Sequence, residues 1–219
     1  MPSKLQVVIA HHDEHLAWAY PVKDKCIVYA KGRPPKGFPN VVRLRNRGRD
    51  SDTYLRHIIM NYDDLADVTV FSQGRIIDHV YNPKIFIEII ENLPRDCGFT
   101  AFNLKHGQTG REGWVTVNDF ESDIHPGISV EKWWKALYDE PEDHAHVFES
   151  NCCGVFAVSR ERILFHPKSF YEKLLNMLND DLEGPPVSDR GPRLLRRLEG
   201  VYVIPLLWAT IMDGTTQGR

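Results

Sequence analysis

The feature that most constrains this chain is an alternation: short β-branched or aromatic runs take turns with stretches of helical periodicity through most of its length. Leu5 to Ala10, Cys26 to Ala30, Asn40 to Leu44, Asp67 to Phe71, Phe99 to Asn103, Gly154 to Val158 and Val201 to Leu207 are apolar runs bounded by breakers, the signature of strands. Between them, Thr53 to Tyr62 carries Leu55, Ile58, Ile59 and Tyr62 at helical offsets, with Asp52 or Ser51 as N-cap. Pro83 to Leu93 and Pro167 to Asn179 repeat that logic. Val130 to Tyr138, capped by Ser129, and a short stretch around Leu194 to Leu198 are further helices. Strands alternating with helices predict an α/β fold: a mixed, mostly parallel sheet with helices on both faces. In such sheets ligands bind beyond the carboxyl ends of the strands, so the loops there are the place to look for chemistry.

The 219 residues contain no linker-like stretch and no repeat, which predicts a single domain over 1–219. No apolar run approaches the ~20 residues that span a bilayer, so no transmembrane segment is expected. Only Met1 to Lys4 precede the first strand, too little for a signal or transit peptide. A net charge of -3 argues against a nucleic-acid partner gripped by a broad basic face, while leaving room for a local phosphate pocket. The four cysteines have neither zinc spacing nor a disulfide framework, and reduced thiols in a cytoplasmic compartment are expected.

Four loops carry candidate chemistry. Ala10-His11-His12-Asp13-Glu14 follows the first strand and sets two imidazoles and two carboxylates where a base or ribose would be gripped; the competing reading is a solvated polar loop. Asn46 to Asp52 joins Arg47, Arg49 and Gly48 to a helix start, the parts of a phosphate site: backbone N–H groups, the helix dipole and bidentate guanidinium groups. The strand ending at Phe71 runs into Ser72-Gln73-Gly74-Arg75-Ile76-Ile77-Asp78-His79. This turn is the place for Mg²⁺ or Mn²⁺, which needs only one or two protein ligands when a diphosphate supplies the rest. Asp78 and His79 are the candidate metal ligands, one of them coordinating while the other orients it. Finally Glu149 and Asn151 precede Cys152-Cys153 and a buried strand, and are placed to face substrate as catalytic candidates; the cysteines read as buried structural thiols. The polar stretch from Lys105 to His146, with His106, Asp123, His125, His144 and His146, is expected to form an acceptor-side flap, and Trp133-Trp134 to pack within a helix.

Several of these segments, taken together, resemble the small GT-A-like glycosyltransferase domains of large algal DNA viruses, which have fungal and bacterial relatives often labelled as of unknown function. The carrying segments are Val7 to Ala10 with Asp13-Glu14 and Trp18, Tyr29 to Gly32, Gly48 to Ser51 with Thr53-Tyr54-Leu55, Phe71 to Gly74 with Asp78-His79, and Cys152-Cys153 with Phe156 to Ile163. The resemblance implies a single-domain GT-A-like, Rossmann-like fold, a nucleotide-sugar donor (most simply a UDP-sugar) and Mn²⁺ or Mg²⁺ at the Asp78 turn. The donor-side residues would be Ala10, His11, Asp13, Glu14, Arg47, Arg49, Asp52, Gln73 and Gly74. The acceptor would be a glycan or glycoprotein hydroxyl, and the workplace the cytoplasm, that of the host if the chain is viral. The chain departs from the pattern in having His11-His12-Asp13-Glu14 for Arg-Tyr-Asn-Glu, Ala30 for Asn and Asp52 for His. It also has Pro205-Leu206-Leu207 where relatives place an acid before the tryptophan, so a catalytic carboxylate there is missing or moved to Glu199. Two other functions fit the same residues: a metal-dependent phosphoesterase or nucleotide-sugar hydrolase using His11, His12, Asp13 and Asp78, and an inactive nucleotide- or carbohydrate-binding module.

Overall fold

The computed structural model describes residues 4–103, 108–109, 115–117, 130–139, 148–150, 154–183, 204, 208 and 211–212. Its strands are β1 (Leu5–His11), β2 (Cys26–Ala30), β3 (Val41–Arg43), β4 (Val68–Gln73), β5 (Phe99–Asn103), β6 (Gln108–Thr109), β7 (Val115–Val117), β8 (Phe148–Ser150) and β9 (Phe156–Ser159). The α-helices are α1 (Arg49–Asn61), α2 (Pro83–Glu91), α3 (Val130–Tyr138), α4 (Arg160–Leu164) and α5 (Lys168–Glu183), joined by 3-10 segments at Ala17–Lys25, Tyr62–Asp64 and Ile76–Asp78.

Seven strands form one sheet in the order β3-β2-β1-β4-β9-β5-β6, and β7 pairs with β8 separately. β1 is parallel to both β2 and β4, and β2 is parallel to β3. β9 runs antiparallel to both β4 and β5, and β6 antiparallel to β5, so the sheet is mixed, with β1, β2, β3, β4 and β5 running in one direction and β9 and β6 opposite. Strand β1 is covered on both faces, which is why its run Val7-Val8-Ile9 is apolar throughout instead of alternating with polar residues. Val8 points into a core shared with Tyr54, Leu55 and Ile58 of α1, Trp133 and Trp134 of α3, and Tyr171 and Leu174 of α5. Its neighbours Val7 and Ile9 face the opposite core, with Phe86, Ile87 and Ile90 of α2 and Ala19 and Val22 of the first 3-10 segment. Helices thus cover both faces of the sheet, and Trp133 and Trp134 are core residues. Among the described residues no helix is long and apolar enough to cross a membrane.

Two expectations are corrected. The run Val201 to Leu207 is not a strand where it is described: Ile204, Trp208, Ile211 and Met212 are helical and buried in the α1 core. Their offsets of four, seven and eight from Ile204 form the stripe of an amphipathic helix, which a short apolar run alone does not distinguish from a strand. Helix α1 begins at Arg49, four residues before Thr53, with Gly48 as its N-cap in the left-handed region (φ 61°); Ser51 and Asp52 are inside its first turn. Both look like loop because they are polar, although the structure buries them in the helix. The stretch Leu194 to Leu198, residues Ser129, Cys152, Cys153 and Glu199, and the five acidic and histidine positions of the expected flap lie outside the described residues.

Candidate active site

The topology prepares one crevice. The chain moves from β1 outward through β2 and β3, then returns to place β4 on the other side of β1, so the strand order reverses between β1 and β4. A crevice opens outside the carboxyl ends of strands at such a point. Here it is a cleft of about 400 Å³. The end of β1 contributes Ala10, His11, His12 and Glu14; the residue after β2 contributes Lys31; the loop and first turn of α1 contribute Asn46, Arg49 and Asp50; and the end of β4 with the turn beyond it contributes Gln73, Arg75 and Asp78.

Backbone closeness holds the β1 and β4 loops together. Gly74 N–H donates to Ala10 O at 2.8 Å, and the Trp18 indole donates to Gly74 O at 2.9 Å. A Cβ at Gly74 would lie 2.5 Å from Glu14 Oε2, so a side chain there would displace Glu14. Asp13, at φ 65°, turns its carboxylate to the loop after β2, where Oδ1 accepts from Arg33 N–H at 2.5 Å. His11 is buried, with Nε2 bonded to Glu14 O at 3.0 Å. His12 is exposed and meets Asn46 Nδ2 at 3.0 Å, linking the first loop to the α1 loop across the cleft.

Beneath the cleft lies an ionic cluster. The Asp52 carboxylate, 1% exposed, is 3.3 Å from Lys31 Nζ, 2.9 Å from Arg56 Nε and 3.9 Å from Arg47 Nε. Lys31 also donates to the carbonyls of Arg47 and Arg49, tying the α1 loop to the end of β2. Burial pulls the Lys31 pKa down, and the neighbouring Asp52 opposes that shift. Asp52 and Arg47 therefore hold the loop in place and are not among the residues lining the cleft, whereas Arg49 is. At the helix start Ser51 N–H donates to Asp50 Oδ1 at 3.1 Å, and Asp52 N–H closes the first helical bond to Gly48 O at 3.0 Å.

The floor of the cleft is a chain of three side chains. Asp50 Oδ2 accepts from Gln73 Nε2 at 2.7 Å, and Gln73 Oε1 meets His79 Nε2 at 3.0 Å. Gly154 presses on this group, because a Cβ there would lie 2.2 Å from Asp50 Oδ2. Asp78 stands on the cleft wall, half-exposed, with Oδ1 3.2 Å from Arg75 Nε. Of the two expected metal ligands, Asp78 thus faces the cleft while His79 turns Nε2 to Gln73. Glu149 lies on β8 with its side chain outside the described residues, and Asn151 is outside them altogether. Among the described residues, no three His, Cys, Asp or Glu side chains gather as a metal cluster.

Asp50, Lys31, Asn46 and Arg75 are cleft residues that sequence reasoning did not single out individually. Lys31 had a positional signal, being the first residue past the carboxyl end of a strand. Asp50 had one only for a reader who begins the helix at Arg49.

No curated protein and no solved structure matches the chain. A family model does: that of the protein family of unknown function DUF3431 matches residues 7–191, from within β1 to beyond α5. That span takes in every strand and helix around the cleft and all the residues that line it, and on it the chain belongs to the DUF3431 family.

Proposed function

We propose that this chain is a metal-dependent glycosyltransferase whose cleft takes a nucleotide-sugar, most simply a UDP-sugar, and moves the sugar to a hydroxyl of a glycan or glycoprotein. The observation that carries the reading is the pairing of opposite charges at the β1/β4 crevice: carboxylates Asp50 and Asp78 alongside Arg49 and Arg75. A cation–diphosphate complex needs that combination, hard oxygens for the ion and guanidinium groups for the phosphate oxygens. The donor set fits Mn²⁺ or Mg²⁺, since one or two carboxylates suffice when substrate oxygens and water complete the shell. Asp78 and Asp50 would hold it, and when bound such an ion neutralises charge on the departing diphosphate.

Arg49 and Arg75 grip the diphosphate from the two sides of the cleft. The His12–Asn46 pair and the Ala10 backbone offer polar groups to the base and ribose. Glu149 and Asn151 precede Gly154, whose backbone lies against Asp50, by five and three residues, which supports them as acceptor-side groups. Of the residues a hydrolase reading would use, His11, His12 and Asp78 line the same cleft, while Asp13 is turned to Arg33 N–H.

Calorimetric titration with UDP, with and without Mn²⁺, tests the reading on wild type and on Asp78→Ala and Asp50→Asn. UDP binding that requires Mn²⁺ and weakens in both variants is expected. Absence of UDP binding in wild type under either condition would remove the assignment.

A further inference from the structure

Gln73 links Asp50 to His79 by two hydrogen bonds, and an amide has one donating end and one accepting end. A carboxylate only accepts, so the Gln73 NH₂ faces Asp50 at 2.7 Å and its carbonyl faces His79 at 3.0 Å. That carbonyl then requires a proton on His79 Nε2. If His79 instead carried its proton on Nδ1, the amide would turn over and point its carbonyl at Asp50, setting oxygen against oxygen.

We infer that His79 is a positioning residue: through Gln73 it fixes the direction in which Asp50 presents its carboxylate to the cleft, and does not itself ligate the cation. The elements make this economical. Gln73 ends β4, Asp50 lies in the first turn of α1, and His79 follows the 3-10 turn that places Asp78 on the cleft wall, so one amide ties together the two carboxylate-bearing elements of the site. Gly154 closes the remaining side, where any side chain would drive Asp50 off this bond. Partners that orient a ligating group are commonly worth 10–100-fold in metal affinity; Gln73 is that partner of Asp50, and the effect of losing His79, one hydrogen bond further out, belongs at the low end, about tenfold.

This inference rests on the cation–diphosphate reading for its consequence, but its geometry can be read without ligand. Nitrogen NMR of the apo protein at pH 8 is expected to find His79 as the Nε2–H tautomer, and the Gln73 side-chain amide protected from exchange in wild type and in His79→Gln. The amide of glutamine places a donor where Nε2 stood. In His79→Ala and His79→Asn the Gln73 carbonyl loses its donor, and the side-chain amide is expected to become more mobile in nitrogen relaxation while its NH₂ still donates to Asp50. Calorimetry with UDP and Mn²⁺ should then find affinity reduced about tenfold in His79→Ala and His79→Asn, with thermal midpoints unchanged, and near wild type in His79→Gln. An Nδ1–H tautomer in wild type, or wild-type affinity in His79→Ala, would overturn the positioning role. A wild type that binds no UDP while its tautomer and amide protection are as expected would retire the proposed function and leave the relay standing.

Discussion

At the scale of the residue, the site is built on buried polar groups that must find partners, and those groups set its vulnerabilities. Asp52 sits between Lys31, Arg56 and Arg47 with almost no access to water. Removing its charge with Asp52→Asn leaves Lys31 as an uncompensated buried cation, and a loss of about 3 kcal/mol in urea unfolding is expected. His57 is fully buried, shares a hydrogen bond with Tyr29 at 3.0 Å, and has no partner for Nε2 among the described residues. Burial lowers its pKa from 6.5 to about 4. The unfolded chain therefore takes up a proton near pH 6.5 that the folded chain refuses until near pH 4. Between those values the unfolded state binds more protons, so stability is full above pH 6.5 and falls with pH at about 1.4 kcal/mol per unit from this group. Urea midpoints measured from pH 7 to 4.5 should fall more steeply for wild type than for His57→Gln. Sequence alone pointed to the right loops but not to the right depth within them. Arg49, Gln73 and Asp78 were legible as cleft residues because each follows a strand or opens a helix. Arg47 read as a phosphate contact and Asp52 as a donor-side or capping residue, since nothing local reveals that Lys31, twenty-one residues before Asp52, claims that carboxylate.

At the scale of the element, periodicity was informative where a run was long and misleading where it was short. α2 and α3 match their expected starts because Asn82 caps Pro83 and an apolar stripe follows, and because the Trp133-Trp134-Leu137 spacing is helical. The start of α1 was displaced because a left-handed Gly48, invisible to hydrophobic pattern, lets the helix begin four residues early. A Cβ there meets Asp52 Cβ at 2.5 Å as well as the φ of 61°. Gly48→Ala should cost at least about 1 kcal/mol in denaturant unfolding and loosen the Arg49 loop, whereas an innocuous substitution would mean that the cap is not held in this conformation. The run Val201 to Leu207 reads as a strand, yet Ile204 within it is helical, and the Trp208 ring just beyond lies 5.6 Å from that of Phe156 and 6.4 Å from that of Tyr54, centre to centre. Trp208→Ala should therefore cost about 3–5 kcal/mol, as loss of a core aromatic does, measured by the shift of the urea midpoint.

At the scale of the whole molecule, the fold class followed from alternation because a parallel sheet needs helical crossovers and cover on both faces. The reversal of strand order between β1 and β4 was not legible, since strand order depends on which side of β1 the chain returns to. That choice is what places Ala10, Asp50 and Gln73 around one cleft. If a divalent cation and a nucleoside diphosphate share this crevice, Mn²⁺ reports its own position by broadening nearby NMR signals. With UDP present and Mn²⁺ at substoichiometric levels, the amide signals of residues 10–14, 49–51 and 73–79 should broaden first, and less so in Asp50→Asn. Selective broadening elsewhere, or none at all in the presence of UDP, would contradict a shared site.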